Sequence, residues 1–80
     1  MKKIAVQYFA ALREQRGLAS EELQFAGQTV LELYQSLKDR HGFAMTSETM
    51  RVAINDEFKP WSTVLVQGDV VTFIPPVAGG

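Results

Sequence analysis

The feature that most restricts the fold of this chain is the signal for one long amphipathic helix near its middle. Thr29 is a candidate N-cap, and Glu32, three residues later, completes a capping box. Gly42 is suited to end the helix, because glycine readily adopts the left-handed conformation at a helix C-terminus. A helix with one apolar face must bury that face, and we expect it to pack on a sheet. The apolar positions follow the spacing i, i+3, i+4 and i+7: Val30, Leu33, Tyr34 and Leu37.

Strand-like segments on both sides of this helix provide the sheet. Alternating apolar side chains predict a first strand over residues 3–9, and residues 10–16 are rich in helix formers. Further strands are predicted over residues 21–25, over residues 51–54, around Phe58 and over Val70–Ile74. This order predicts an α+β roll in which a mixed sheet carries one long helix and the first and last strands lie side by side in the sheet centre. Residues 44–50 follow no assigned pattern.

The strand alternation also predicts an apolar patch on the face of the sheet that is turned away from the helix. A cluster of exposed apolar side chains is typical of a surface that binds another protein. Phe9 and Ile74 would form the patch beside the end of the last strand, extended by Phe58 or Trp61. The side chains assigned to the inner face are Ile4, Val6, Tyr8, Val71 and Phe73, and those assigned to the outer face are Ala5, Phe9, Val70 and Ile74.

The C-terminal residues predict a thin arm that carries one reactive group. Pro75 and Pro76 cannot donate to a strand ladder, so they end the last strand and stiffen its exit. The residues after them are small and uncharged, which predicts a flexible tail over residues 77–80. Glycine lacks a Cβ atom, so the terminal carboxylate could enter a narrow channel. The predicted tail consists of Val77, Ala78, Gly79 and Gly80, with the α-carboxylate of Gly80 at its tip.

Composition narrows the range of partners. Eighty residues form one domain, and a formal net charge of −1 with scattered cations argues against nucleic acid or an anionic membrane as the main partner. The chain has no cysteine, so it has no thiolate with which to carry sulfur or bind a metal, and no metal site is predicted. Without an apolar run of membrane-spanning length or a signal peptide, a cytoplasmic protein is expected. His41, the one histidine, is expected to have a structural role near a helix C-terminus, where the helix dipole favours the imidazolium form.

Three segments of the chain resemble the small subunit of molybdopterin synthase. They are residues 6–14, residues 52–55 and residues 68–80, so the resemblance spans nearly the whole chain. The last segment is the most specific, because it follows the pattern Gly-Asp-x-Val-x-Phe-x-Pro-Pro-Val-x-Gly-Gly. Arg13 and Glu14 also match, but their role stays unassigned.

The resemblance implies a ubiquitin-like β-grasp domain over residues 1–76 and a C-terminal tail over residues 77–80. In this family an adenylating enzyme uses ATP to activate the terminal glycine, and sulfur then replaces AMP to give a thiocarboxylate. Carried over, that glycine is Gly80. The tail would enter the large subunit, which holds most of the catalytic groups, and donate sulfur to cyclic pyranopterin monophosphate to form a dithiolene. The chain itself would bind no cofactor, and its contacts with the large subunit would include Phe9, Ile74, Pro75 and Pro76.

Three other functions remain open from the sequence. The sulfur carriers of thiamine thiazole synthesis share the fold and the activated tail, but are typically shorter and lack the helix after the first strand. A ubiquitin-like modifier would use the same activated Gly80 to acylate a lysine of a target protein. A non-catalytic β-grasp interaction domain would have an inert tail. The Pro75-Pro76 pair and the helix over residues 10–16 favour the molybdopterin synthase subunit.

Overall fold

The computed structural model describes residues 1–76, so the predicted tail residues Val77, Ala78, Gly79 and Gly80 lie outside it. The long helix, the short helix and all five predicted strands are present. A short 3-10 helix, Ser47–Thr49, lies within the segment to which the sequence assigned no pattern. In chain order the other elements are β1 (Lys2–Tyr8), α1 (Ala10–Arg16), β2 (Ser20–Phe25), α2 (Val30–His41), β3 (Arg51–Ile54), β4 (Glu57–Phe58) and β5 (Val70–Ile74).

The sheet is mixed, and its strand order is β2-β1-β5-β3-β4. The first and last strands, β1 and β5, lie side by side at its centre and run parallel, while the other neighbours are antiparallel. This arrangement confirms the expected α+β architecture, a ubiquitin-like β-grasp in which the sheet holds one long helix. The longest helix in residues 1–76 is α2, with 12 residues, and no helix there is long and apolar enough to cross a membrane.

The ends of α2 are fixed by the predicted capping groups. The Thr29 Oγ1 atom accepts a hydrogen bond from the Glu32 backbone N–H at 3.2 Å, and the Glu32 carboxylate accepts one from the Thr29 N–H at 3.4 Å. Gly42 ends the helix with φ 69°, and its N–H donates to the Lys38 carbonyl at 2.8 Å. All four side chains of the predicted apolar stripe are buried: Val30, Leu33, Tyr34 and Leu37.

An aromatic cluster fills the core between α2 and the sheet. The Tyr34 ring centroid lies 5.2 Å from that of Phe73, and the Trp61 ring stacks on Phe73 at 6.0 Å. Phe43 closes the cluster with its ring 5.9 Å from Tyr8. Trp61 therefore packs on the inner side of the sheet, and it does not extend the outer patch as one alternative had it.

Hydrogen bonds at the start of β5 fix its position against the β3–β4 turn. The buried Asp69 carboxylate accepts from the Asn55 side-chain amide at 2.9 Å and from the Val66 N–H at 2.9 Å. The Asn55 side-chain oxygen in turn accepts from the Val70 N–H at 3.0 Å. Asn55 and Asp56 form the turn with positive φ values of 54° and 69°, which asparagine and aspartate tolerate better than most residues. The network sets the register of β5, and therefore the place at which its C-terminal end leaves the sheet.

We predict that Thr29→Ala lowers the free energy of unfolding by about 1 kcal/mol, because it removes the side-chain acceptor of the capping box. Urea denaturation followed by circular dichroism measures the change. Thr46→Ala is the matched control, since Thr46 precedes the 3-10 helix in the same extended conformation but its side chain makes no capping hydrogen bond. Equal losses in the two variants would contradict the prediction.

Candidate functional site

The candidate site lies where β5 ends and the chain leaves the sheet towards residues 77–80. An open groove of about 530 Å³ occupies this position, and we call it the exit groove. Three segments line it: residues 9–11, Met45 and residues 74–76. Phe9, Ile74, Pro75 and Pro76, all named from the sequence as partner contacts, therefore meet around one groove. The contact of these four residues with a partner remains a prediction.

Strand register explains why Phe9 and Ile74 come together although they are far apart in sequence. Tyr8 pairs with Phe73 in the parallel ladder between β1 and β5. The residues that follow this pair, Phe9 and Ile74, therefore lie at the same end of the sheet. Tyr8 and Phe73 are buried on the inner face, whereas Phe9 is 51% exposed and Ile74 half-buried. The predicted outer patch is thus present, with one correction: Phe9 is the N-cap of α1 and not the last residue of β1.

A second, smaller groove of about 270 Å³ lies on the outer face of the sheet, and we call it the sheet groove. Phe9 and Ile74 line both grooves and form the ridge between them. Phe58, which is 63% exposed, lines the sheet groove and so extends the patch as predicted. On its floor the Thr72 hydroxyl donates to the Gln7 side-chain oxygen at 3.0 Å, which satisfies both polar groups across the two central strands.

A sharp turn places the N-terminal end of α1 in the wall of the exit groove. Phe9 is extended, with φ −125° and ψ 155°, and Ala10 follows with a positive φ of 51°. A left-handed conformation costs an L-residue about 1 kcal/mol or more, so the packing around Ala10 must hold it there. This turn could not be predicted from the sequence, because alanine is not a typical residue at positive φ.

A charged cluster fastens the other end of α1 to β2. Arg16 donates from Nε and Nη2 to the two Glu21 carboxylate oxygens, each at 2.9 Å. The Tyr8 hydroxyl donates to the same carboxylate at 2.6 Å. The hydrogen bond from Arg16 is the main cause that holds the pKa of Glu21 below its usual value, and the bond from Tyr8 adds to it, although partial burial acts in the opposite direction. Burial, followed by the contact with Glu21, raises the pKa of Tyr8.

His41 lies near this cluster, and its pKa is lowered, which is not the direction that the helix dipole favours. Burial is the main cause that lowers the pKa of His41, followed by the positive charge of Arg16. The nearby Glu21 carboxylate acts in the opposite direction but does not outweigh them. The helix dipole alone, on which the expectation rested, predicts the opposite direction.

Met45 is a groove residue that the sequence did not identify. It follows α2 in the segment without an assigned pattern, and its side chain is half-buried at the edge of the exit groove. The available signal was the pair of large apolar residues Phe43 and Met45, which come just before the polar residues 46–49. Phe43 fills the core, and Met45, two residues later, reaches the groove.

The two prolines differ in what they offer at the surface. Pro75 is buried, whereas Pro76 is exposed. Pro75 therefore fixes the shape of the groove, and Pro76 presents surface to a partner.

The chemistry of the exit groove is that of a binding surface. Its lining is aromatic, aliphatic, thioether and proline groups, none of which acts as a nucleophile or a general base. Within residues 1–76, no group of three or more His, Asp or Glu side chains is placed to hold a metal ion. The residues that line the exit groove can therefore bind an apolar partner surface.

Comparison with known proteins identifies the family. The sequence model described as the ThiS family matches residues 6–80. This chain belongs to the ThiS family. A curated relative, the molybdopterin synthase sulfur carrier subunit of Mycobacterium tuberculosis, is 37% identical over 83 aligned positions that cover 100% of each chain. The resemblance to the small subunit of molybdopterin synthase is thereby confirmed over the full length.

Two solved structures support the family assignment. One is a chain in the protein–protein complex of subunits 1 and 2 of the molybdopterin-converting factor from Helicobacter pylori, with a TM-score of 0.68, 25% identity, and coverage of 98% of this chain and 99% of that one. The other is the small archaeal modifier protein 1 from Methanosarcina acetivorans, with a TM-score of 0.78, 26% identity, and coverage of 100% and 98%. The fold is thus shared by proteins described as synthase subunits and as modifiers.

The Glu21 cluster predicts a pH-dependent contribution to the stability of this ThiS-family chain. A carboxylate whose pKa is lowered by folding stabilises the native state above the unfolded pKa of about 4.3, and this contribution is lost as the pH falls through the lower native pKa. We expect Glu21→Gln to cost about 1–2 kcal/mol near pH 7. The difference in the free energy of unfolding between Glu21→Gln and wild type should become smaller as the pH falls below about 4.3.

Urea denaturation across this pH range measures the effect. The control is Glu22→Gln, which removes an exposed carboxylate 3.4 Å from the Lys3 ammonium and should cost less than about 0.5 kcal/mol at neutral pH. A Glu21→Gln penalty that stays constant from neutral to acid pH would show that the carboxylate charge does not contribute.

Proposed function

We propose that this chain is the sulfur-carrier subunit of a molybdopterin synthase. The observation that carries the proposal is the full-length match to a relative of that name, 37% identical, in a chain that ends in Gly79-Gly80. The apolar exit groove at the base of the tail supports it, because a carrier must be held by its body while its tail enters another protein. The absence of cysteine also fits, since the sulfur would be held on the C-terminal acyl group.

The proposed chemistry takes place at the α-carboxylate of Gly80. An adenylating enzyme joins a carboxylate oxygen to the α-phosphorus of ATP and releases pyrophosphate, which makes the acyl carbon electrophilic. Hydrosulfide then attacks that carbon, forms the C–S bond and displaces AMP, which leaves a thiocarboxylate. Two such carriers deliver two sulfur atoms to cyclic pyranopterin monophosphate to build the dithiolene. The proposal places these reactions in the cytoplasm, where ATP is supplied.

The described residues then have a binding role in the complex. Phe9, Ile74 and Pro76 would contact the large subunit, and that subunit would supply most of the catalytic groups. The structure from Helicobacter pylori supports a two-subunit assembly, since it is described as a complex of subunits 1 and 2 of the molybdopterin-converting factor. The ridge and the two grooves beside it offer the large subunit an apolar surface at the root of the tail.

A second candidate function is that of a ubiquitin-like protein modifier. The similarity to a small archaeal modifier protein favours it, and the activated Gly80 acyl group would serve both reactions. In the modifier reaction a target lysine amine attacks the acyl carbon and forms an isopeptide bond. The two functions differ in their acceptor, a pterin held by the large subunit or a protein lysine.

We predict that deleting Gly80, or adding one residue after it, abolishes sulfur transfer and leaves the fold unchanged. The deletion moves the terminal carboxylate one residue back along the chain, and the addition moves it one residue forward. Intact mass after incubation with ATP, a sulfide source and the adenylating enzyme measures the exchange of one C-terminal oxygen for sulfur. Product formation with the large subunit measures the transfer.

The control for this experiment is Lys59→Ala. It changes an exposed side chain whose ammonium lies 3.6 Å from the Glu57 carboxylate and which lines neither groove. It should be converted and should transfer sulfur at the wild-type rate. Wild-type transfer by the Gly80 deletion would rule out the proposed function. Normal thiocarboxylate formation with no transfer in the presence of the large subunit would instead favour another acceptor.

We predict that Phe9→Asp weakens binding to the large subunit about tenfold or more, because an unpaired carboxylate would be buried at the ridge. The same change should not destabilise the free chain. Phe9 is the N-cap of α1 and makes no capping hydrogen bond, whereas aspartate is a favoured N-cap. Calorimetric titration gives the affinity, and urea denaturation gives the stability.

Val64→Asp is the matched control for Phe9→Asp. Val64 is 55% exposed and lines neither the exit groove nor the sheet groove. The affinity of the Val64→Asp variant for the large subunit should stay within about threefold of wild type, a change in binding free energy of less than about 1 kcal/mol. Equal weakening by the two variants would show that the ridge is not the contact surface.

A further inference from the structure

One wall of the exit groove comes from a loop that is remote in sequence from the other two walls. Residues 9–11 lie at the start of α1, and residues 74–76 are the last residue of β5 and the two prolines after it. Met45 lies in the loop between α2 and the 3-10 helix. Loops move more than the elements they connect, unless side chains tie them down. What holds Met45 therefore determines the shape of the groove.

The first part of this loop is anchored by the end of α2. The N–H groups of Gly42 and Phe43 both donate to the Lys38 carbonyl, at 2.8 and 3.2 Å, and the Phe43 ring is buried in the aromatic cluster. The Ala44 N–H donates to the Gln15 side chain of α1 at 3.3 Å. These contacts fix the backbone up to one residue before Met45.

The contact at Met45 itself comes from the core. The Tyr34 hydroxyl donates a hydrogen bond to the Met45 carbonyl oxygen at 2.5 Å. Tyr34 is fully buried in α2, and its ring centroid lies 5.2 Å from Phe73 and 5.7 Å from Trp61. The Phe43 ring stacks on it at 6.2 Å. Because the Tyr34 ring cannot move without disturbing the core, its hydroxyl is a fixed point for the loop.

We propose that Tyr34 is a positioning residue for the complex with the large subunit, acting through its hydrogen bond to Met45 to set the wall of the exit groove. The inference rests on the proposed function, since it assumes that the groove receives the large subunit. Tyr34 is fully buried and lines neither groove, so it would act on the partner only through the loop. It pre-organises the surface, so that the loop does not have to be ordered when the complex forms.

The test compares two Tyr→Phe variants that each remove one hydroxyl. Tyr34→Phe frees the Met45 carbonyl, whereas Tyr8→Phe removes the bond to Glu21 on the other side of the core. We expect Tyr34→Phe to raise the dissociation constant for the large subunit about fivefold, because the freed loop must then be ordered when the complex forms. Tyr8→Phe should stay within about twofold, although both variants lose stability.

The kinetic readout separates positioning from catalysis. With the thiocarboxylated chain as the varied reactant, Tyr34→Phe should raise KM with kcat unchanged, because the tail and the reacting atoms are intact. A double-mutant cycle adds a second readout. Met45→Ala should weaken binding clearly in the wild-type background and much less in the Tyr34→Phe background, since the two residues act through one contact.

A measurement on the free chain tests the loop without the partner. The chain has three methionines, so ¹³C labelling of their methyl groups gives few signals, and relaxation of the Met45 signal reports how firmly it is held. Greater mobility of the Met45 methyl in Tyr34→Phe, with Tyr8→Phe like wild type, supports the inference. Equal dissociation constants for Tyr34→Phe and wild type, or an unchanged Met45 signal, would overturn it.

The two proposals fail in different ways. If wild type does not bind the large subunit, the proposed function is wrong, and the role of Tyr34 in that complex falls with it. If wild type binds and Tyr34→Phe binds equally well, only the positioning role is wrong.

Discussion

The parallel pairing of β1 with β5 is the interaction on which the rest of the structure depends. It joins Ala5 to Val70 and continues to Tyr8 and Phe73, so the first and last strands form the centre of the sheet. On the inner face this register builds the aromatic core. On the outer face it brings together two residues that are distant in sequence, Phe9 and Ile74, beside the point at which the chain leaves the sheet. The core and the candidate binding surface are therefore two sides of one strand pair.

Much of this fold could be predicted because local signals and long-range packing agree. The Thr29–Glu32 capping box predicted where α2 begins, and Gly42 predicted where it ends. The four side chains of the apolar stripe are buried as predicted. Alternation in β1 and β5 correctly separated inner from outer side chains. The outer patch followed from the same parity, since an apolar residue on the solvent side of a half-buried sheet has no local reason to be there.

The parts that could not be predicted depend on contacts between distant segments. Nothing in the local sequence indicates that Ala10 has a positive φ, because tertiary packing imposes it. Met45 reaches the groove only because the Tyr34 hydroxyl and the Phe43 ring bring its loop back to the sheet. The helix dipole predicted the wrong direction for the pKa of His41, because burial and, after it, the charge of Arg16 outweigh this local effect.

The central position of β5 has a consequence for how the chain folds. The hydrogen bond between Thr72 and Gln7 joins residues 65 positions apart, and pairing across such a distance is slow because the intervening chain must be closed into a loop. During synthesis, β1 can pair with β2 but has no neighbour on its other edge until the last strand has been made. A nascent or truncated chain without β5 has neither the ridge nor the groove. A partner that recognises this surface therefore selects chains whose folding is complete.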